Sequence, residues 1–131
     1  MKKREFPRVP KTINLKEKFG FALAGISYAW ATQSNLRIHL PAALLVLLAA
    51  FLFRLHTGEF VLLLFCIFLV FLAEMLNTAI ELAVDLFGPG QYRLAKAAKD
   101  VAAGAELLAA LNAVIIGVLV FYPHILALWK R

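Results

Sequence analysis

Glu74, Asn77, Thr78, Glu81 and Asp85 recur at intervals of three, four and seven. At about 100° per residue these five side chains fall within roughly a third of a helix circumference, so one face is polar and acidic. Lys99 and Asp100 follow in the next apolar segment, with Glu106 beyond them. Carboxylates that hold Mg²⁺ beside a lysine are the equipment phosphoryl transfer needs. The alternative, in which the acids merely pair inside a helix bundle or point into water, stays open at this level.

The element that positions the acids is the run from Phe60 to Phe87, whose first part, Phe60 to Ala73, carries no charge. About 28 residues at ~1.5 Å each give ~42 Å, against a hydrocarbon core of ~30 Å, so some two turns project beyond the oil. The acids lie at that projecting end. An ionisable group near lipid costs several kcal/mol and is by default a functional-site candidate.

A further membrane helix is predicted from Ala95 to about Tyr122, ended by Pro123. Lys96 and Asp100 form an i, i+4 pair, and Lys99 shares a face with Ala103 and Glu106. Ala102, Ala103, Gly104 and Ala105 leave room for another backbone to come close. Glu106 needs a partner, with Lys99 or a metal the nearest candidates. Asn112 reads as an interhelical hydrogen bond.

The 131 residues are 63% hydrophobic with a mean hydropathy of +0.81, which excludes an ordinary soluble domain and leaves a membrane protein. The net charge of +6 does not point to nucleic acid, because the basic residues gather at the ends and in one loop. They read as orientation signals and contacts to anionic lipid. The lone Cys66 allows no disulfide within the chain and reads as packing.

Residues 1–13 form a basic arm with Pro7 and Pro10, not a secretory signal, since the first long apolar run comes only near residue 36. Asn14 and Glu17 form a capping pair for a helix over 15–32, whose Phe19, Ala22, Leu23, Ile26 and Trp30 recur at helical spacing. It suits an amphipathic helix lying in the interface, or one packed on the end of a bundle. A break at Gln33, Ser34 and Asn35 precedes the first span, 36–53, with Pro41 in its first turns. The spans 60–87 and 95–122 complete an all-α membrane domain over 1–131. Arg54 to Glu59 is a tight connection, and Gly88, Pro89 and Gly90 read as a turn because no phosphate-loop pattern exists. His39 reads as an interfacial hydrogen bond, and His56 and His124 are assigned no chemistry. The basic arm, Arg37, Arg93, Lys96 and Lys99 share one side, which the charge bias makes cytoplasmic.

The run Glu74-Met-Leu-Asn77-Thr78-Ala-Ile-Glu81-x-x-x-Asp85, followed by Ala-Lys99-Asp100-x-Ala-Ala-Gly-Ala, closely resembles the signature of the prokaryotic diacylglycerol kinase family, which includes the undecaprenol kinases. The resemblance covers nearly the whole chain. It implies three membrane helices with an amphipathic surface helix, a homotrimer with shared active sites, ATP as donor, Mg²⁺ as cofactor and the bacterial cytoplasmic membrane as location. By position it makes Glu74 the general base. It assigns Gln33 and Glu81 to Mg²⁺, and Phe21, Gln33, Asn77, Glu81, Asp85, Lys99 and Asp100 to ATP. Glu74, Trp30 and Ala103 would contact the lipid.

Two positions depart from the pattern. Gln33 stands where the family usually has a metal-binding glutamate, and Glu106 stands where an apolar residue follows the Gly-Ala pair. Glu106 is expected to replace part of the missing charge, although its depth argues against direct ligation. The motifs Asn-Thr-Ala-Ile-Glu and Ser-Asn-Leu-Arg-Ile-His resemble the undecaprenol kinase branch more than the diacylglycerol branch. Undecaprenol is therefore the leading substrate and diacylglycerol the second. A non-catalytic membrane module relaying protons is the reading from another class, and the dry run from Phe60 to Ala73 speaks against it.

Overall fold

The computed structural model describes residues 14–86 and 92–130. Four α-helices follow in order: α1 (Leu15–Thr32), α2 (Ser34–Leu52), α3 (Thr57–Asp85) and α4 (Tyr92–Trp129). The helices α2, α3 and nearly all of α4 are long and apolar enough to cross a membrane, giving an all-helical membrane protein with three spans. The basic arm, the Gly88-Pro89-Gly90 turn and Arg131 lie outside the described residues.

The start of α1 is fixed as its sequence requires. The Asn14 side chain accepts from the Glu17 backbone N–H at 2.9 Å, and Glu17 accepts from the Asn14 N–H at 3.0 Å. Only Ala29 of α1 is buried, while Phe19, Leu23, Ile26 and Trp30 stay exposed. The last turn of α1 lies over α3, where Gly25, Tyr28 and Ala29 face Met75, Thr78 and Leu82 across a cleft.

The break between α1 and α2 is shorter than expected. It is Gln33 alone, extended at φ −97° and ψ 115°, with Ser34 and Asn35 already inside α2. Pro41 accordingly sits two turns into the helix rather than at its start. It removes a single backbone donor and α2 runs on through it.

The α2 to α3 connection contracts to Phe53–His56, because Glu59 reaches back to the His56 N–H at 2.9 Å and starts α3 three residues before the apolar run. Leu55 N–H bonds to Ala50 C=O at 3.1 Å and Arg54 N–H to Phe51 C=O at 3.1 Å. Arg54 is left-handed at φ 52°, so α2 ends in a Schellman motif without the usual glycine. Leu55 packs on the core formed there by Ala50, Leu63 and Val120.

α4 corrects the expectation that Pro123 ends the last span, since the helix continues to Trp129 with Pro123 inside it. The reason lies beside it. His124 Nε2 meets the Glu59 carboxylate at 3.1 Å, and the Phe53 ring lies edge-on to Phe121 and His124. These contacts hold the next turn in place against the loss of one hydrogen bond. His124, assigned no chemistry from the sequence, has Glu59 as its partner.

Candidate active site

One stripe of α3 is buried from end to end: Leu63, Cys66, Val70, Glu74, Asn77 and Thr78. Its far half is apolar; there the Asn112 amide of α4 donates to Cys66 Sγ at 3.8 Å as the expected interhelical bond. Its near half is polar. Glu74 is 0% exposed and, among the described residues, the one charged side chain that is buried. Thr78 donates to the Glu74 backbone C=O at 2.9 Å, which uses its hydroxyl within its own helix.

Four helices converge on this half. From the α1–α2 junction, the Gln33 amide donates to Glu81 at 3.5 Å. From α2, Asn35 donates to Glu106 at 3.0 Å and to Glu74 at 3.5 Å. From α3, the Asn77 amide donates to Glu81 at 3.4 Å and to Glu106 at 3.3 Å. His39 Nε2 stands 4.0 Å from Glu106. One amide therefore links Glu81 to the acid that the family pattern lacks.

Of the two partners expected for Glu106, Lys99 or a metal, Lys99 is not the one it meets. Lys99 Nζ meets Asp85 Oδ1 at 2.6 Å, nearly two turns nearer the end of α3, and the partners of Glu106 are Asn35, Asn77 and His39. Asp100 pairs with Lys96 at 2.5 Å, as its i, i+4 spacing requires. Phe21 is 64% and Trp30 44% exposed, and Ala103 is exposed while Ala102 is buried in its place. Gly104 has open space where a Cβ would be, so the close backbone approach expected there does not occur within one chain.

Sequence reasoning missed Asn35 and His39. A signal existed, since they stand four apart and share a helix face at the start of an otherwise apolar span. His39 had been set aside because no acid neighbours it in sequence; the fold brings it two.

The site suits a hard cation at its outer end. Glu81 supplies carboxylate oxygens and Gln33 an amide oxygen on rotation of its side chain. Asn77 Oδ1 beside them is buried with no hydrogen-bond partner, an acceptor in need of a cation or a donor. Glu81, Gln33 and Asn77 are thus the residues that would hold Mg²⁺.

Residues 20–121 match the family model described as prokaryotic diacylglycerol kinase. The chain belongs to the prokaryotic diacylglycerol kinase family. It is 47% identical over 116 residues to a diacylglycerol kinase of Synechocystis, covering 88% of this chain and 66% of that protein, just under two thirds. It is 41% identical to an undecaprenol kinase of Bacillus subtilis, covering 83% of this chain and 89% of the other. A diacylglycerol kinase of Escherichia coli is 32% identical over 80% of this chain and 86% of its own. Membership of the diacylglycerol kinase family indicates a lipid kinase. The family match ends at residue 121, before Pro123 and His124.

Proposed function

We propose that the chain phosphorylates undecaprenol, moving the γ-phosphoryl group of ATP to the lipid hydroxyl with Glu74 as general base. The observation that carries this is the fully buried Glu74 carboxylate, seven residues and therefore ~10 Å along α3 from Glu81. The base lies at the oil and the phosphate-binding acid towards water. That is the separation a reaction between a greasy alcohol and a soluble nucleotide requires.

In the step itself, the lipid O–H proton passes to Glu74 as the lipid oxygen bonds to the γ-phosphorus and the bond to the ADP oxygen breaks. Mg²⁺ supplies neutralisation of phosphate charge when bound. Gln33, Asn77 and Glu81 hold the nucleotide end, and Asn35 orients Glu74. Lys99 exchanges Asp85 for a phosphate oxygen, with Asp100 steadying Lys96 beside it. Phe21 lines the nucleotide side, and Trp30 and Ala103 the lipid side. The site faces the cytoplasm of a bacterial cell, where ATP is, and the working unit is a homotrimer.

Two observations favour a polyprenol. Asn35 and His39 belong to the run Ser-Asn-Leu-Arg-Ile-His, which resembles the undecaprenol kinase branch more than the diacylglycerol branch. His39 also opens an apolar groove of about 650 Å³ that runs past Ala43, Val46 and Val114 to Phe53, room for a long hydrocarbon chain starting at the base. The 47% identity to a diacylglycerol kinase favours the second reading, diacylglycerol as acceptor. Transfer of labelled γ-phosphate from ATP in a panel of polyprenols and diacylglycerols decides between them. Glu74→Gln should lower transfer to the preferred lipid by at least about 100-fold, the lower end of the range for a lost general base. Equal labelling by both chains would remove Glu74 from that role.

A further inference from the structure

Where α2, α3 and α4 meet, His39, Glu74 and Glu106 each contribute a ligand atom to a group whose members all lie within 4.8 Å of one another. Glu74 is wholly buried, and its Oε1 has no hydrogen-bond partner; His39 Nε2 has none either. Two carboxylates side by side at the edge of the oil require positive charge or a proton. Among the described residues no lysine or arginine reaches them, since Lys99 is taken by Asp85 and Lys96 by Asp100. The amides of Asn35 and Asn77 orient the carboxylates but bring no charge.

We propose that His39, Glu74 and Glu106 form a second divalent-cation site, separate from the Mg²⁺ position at Glu81 and Gln33, and that it takes a cation of the manganese-to-zinc series. An imidazole nitrogen with two carboxylate oxygens suits those ions, whereas Mg²⁺ prefers an all-oxygen shell with several waters. Three protein ligands leave a position open. Bonds of ~2.0–2.2 Å require the three atoms to draw together by roughly 1 Å, which side-chain rotation supplies. Under the proposed kinase reading, on which this consequence alone rests, an ion here occupies the carboxylate that takes the lipid proton. Zinc then inhibits transfer without competing with Mg-ATP.

The test is titration of Co²⁺ into the full chain in detergent micelles with Mg²⁺ in excess, read by visible absorption. The native chain should bind a single Co²⁺ with bands that Mg²⁺ does not displace. His39→Gln and Glu106→Val should each weaken binding by at least about tenfold, and Glu81→Gln should leave the bands in place. Helix content by circular dichroism checks both ligand variants, and zinc-edge absorption of the native chain, expected to show imidazole and oxygen ligation, needs no variant. Absence of bands in the native chain, bands unchanged in His39→Gln, or zinc ligated by oxygen alone would overturn the site. Co²⁺ binding without phosphorylation of any lipid would sink the kinase reading and keep the site. Transfer without Co²⁺ binding would do the reverse.

Discussion

Asn77 uses one amide nitrogen on two acids of different helices, Glu81 at 3.4 Å and Glu106 at 3.3 Å. Asn77→Asp replaces that donor with a third carboxylate in a buried place. Unpairing such groups costs roughly 1–3 kcal/mol each, so the variant should unfold at lower denaturant and lose transfer about tenfold or more. Assay of labelled lipid across a Mg²⁺ series checks it, with half-maximal transfer expected at lower Mg²⁺ because a carboxylate replaces the amide oxygen beside Glu81. At this scale the stripe on α3 was legible in the sequence because helical spacing alone puts Glu74, Asn77 and Glu81 on one side. The partners were not. Asn35 and Glu106 are 71 residues apart and Gln33 and Glu81 are 48 apart, and no periodicity joins positions on different helices.

At the scale of the element, hydropathy found each helix, and local hydrogen bonds moved the ends. Glu59 begins α3 before the oil does, and the Glu59–His124 contact carries α4 past a proline that ordinarily stops a helix. The turn between α2 and α3 holds a testable strain. Arg54 at φ 52° occupies a conformation costing a non-glycine residue roughly 1–2 kcal/mol. Arg54→Gly should leave stability unchanged or raise it slightly, since relief of strain offsets the extra freedom of the unfolded chain. Arg54→Val, with a branched Cβ, should lower it by about 1 kcal/mol or more. Unfolding of both variants in mixed micelles gives the comparison.

For the molecule as a whole, the polar cluster is drawn from α2, α3, α4 and the residue joining α1 to α2, yet one face of α4 stays open. Gly104 meets nothing within 4 Å, and Val101, Leu108 and Ile115 on the same helix are exposed. Small residues of this kind allow membrane helices to approach closely, and a face left empty in one chain suits a neighbouring copy. Gly104→Ile should therefore reduce the fraction of the proposed trimer in detergent, measured by light scattering after gel filtration, while helix content holds. The architecture of three spans and a surface helix was legible from apolar length and capping residues. Which faces meet other subunits was not, because facing lipid and facing a protein neighbour demand the same apolar side chains.

Gln33 is at once the sole non-helical residue between α1 and α2 and the donor that touches Glu81. The joint between two helices and a contact to an acidic cluster thus coincide in a single side chain. Tilting of the first helix on the bilayer cannot leave the acid beneath it undisturbed, and a ligand that seizes that acid must in turn pull on the helix. On the proposed kinase reading, that one amide would couple lipid packing at the surface to nucleotide occupancy.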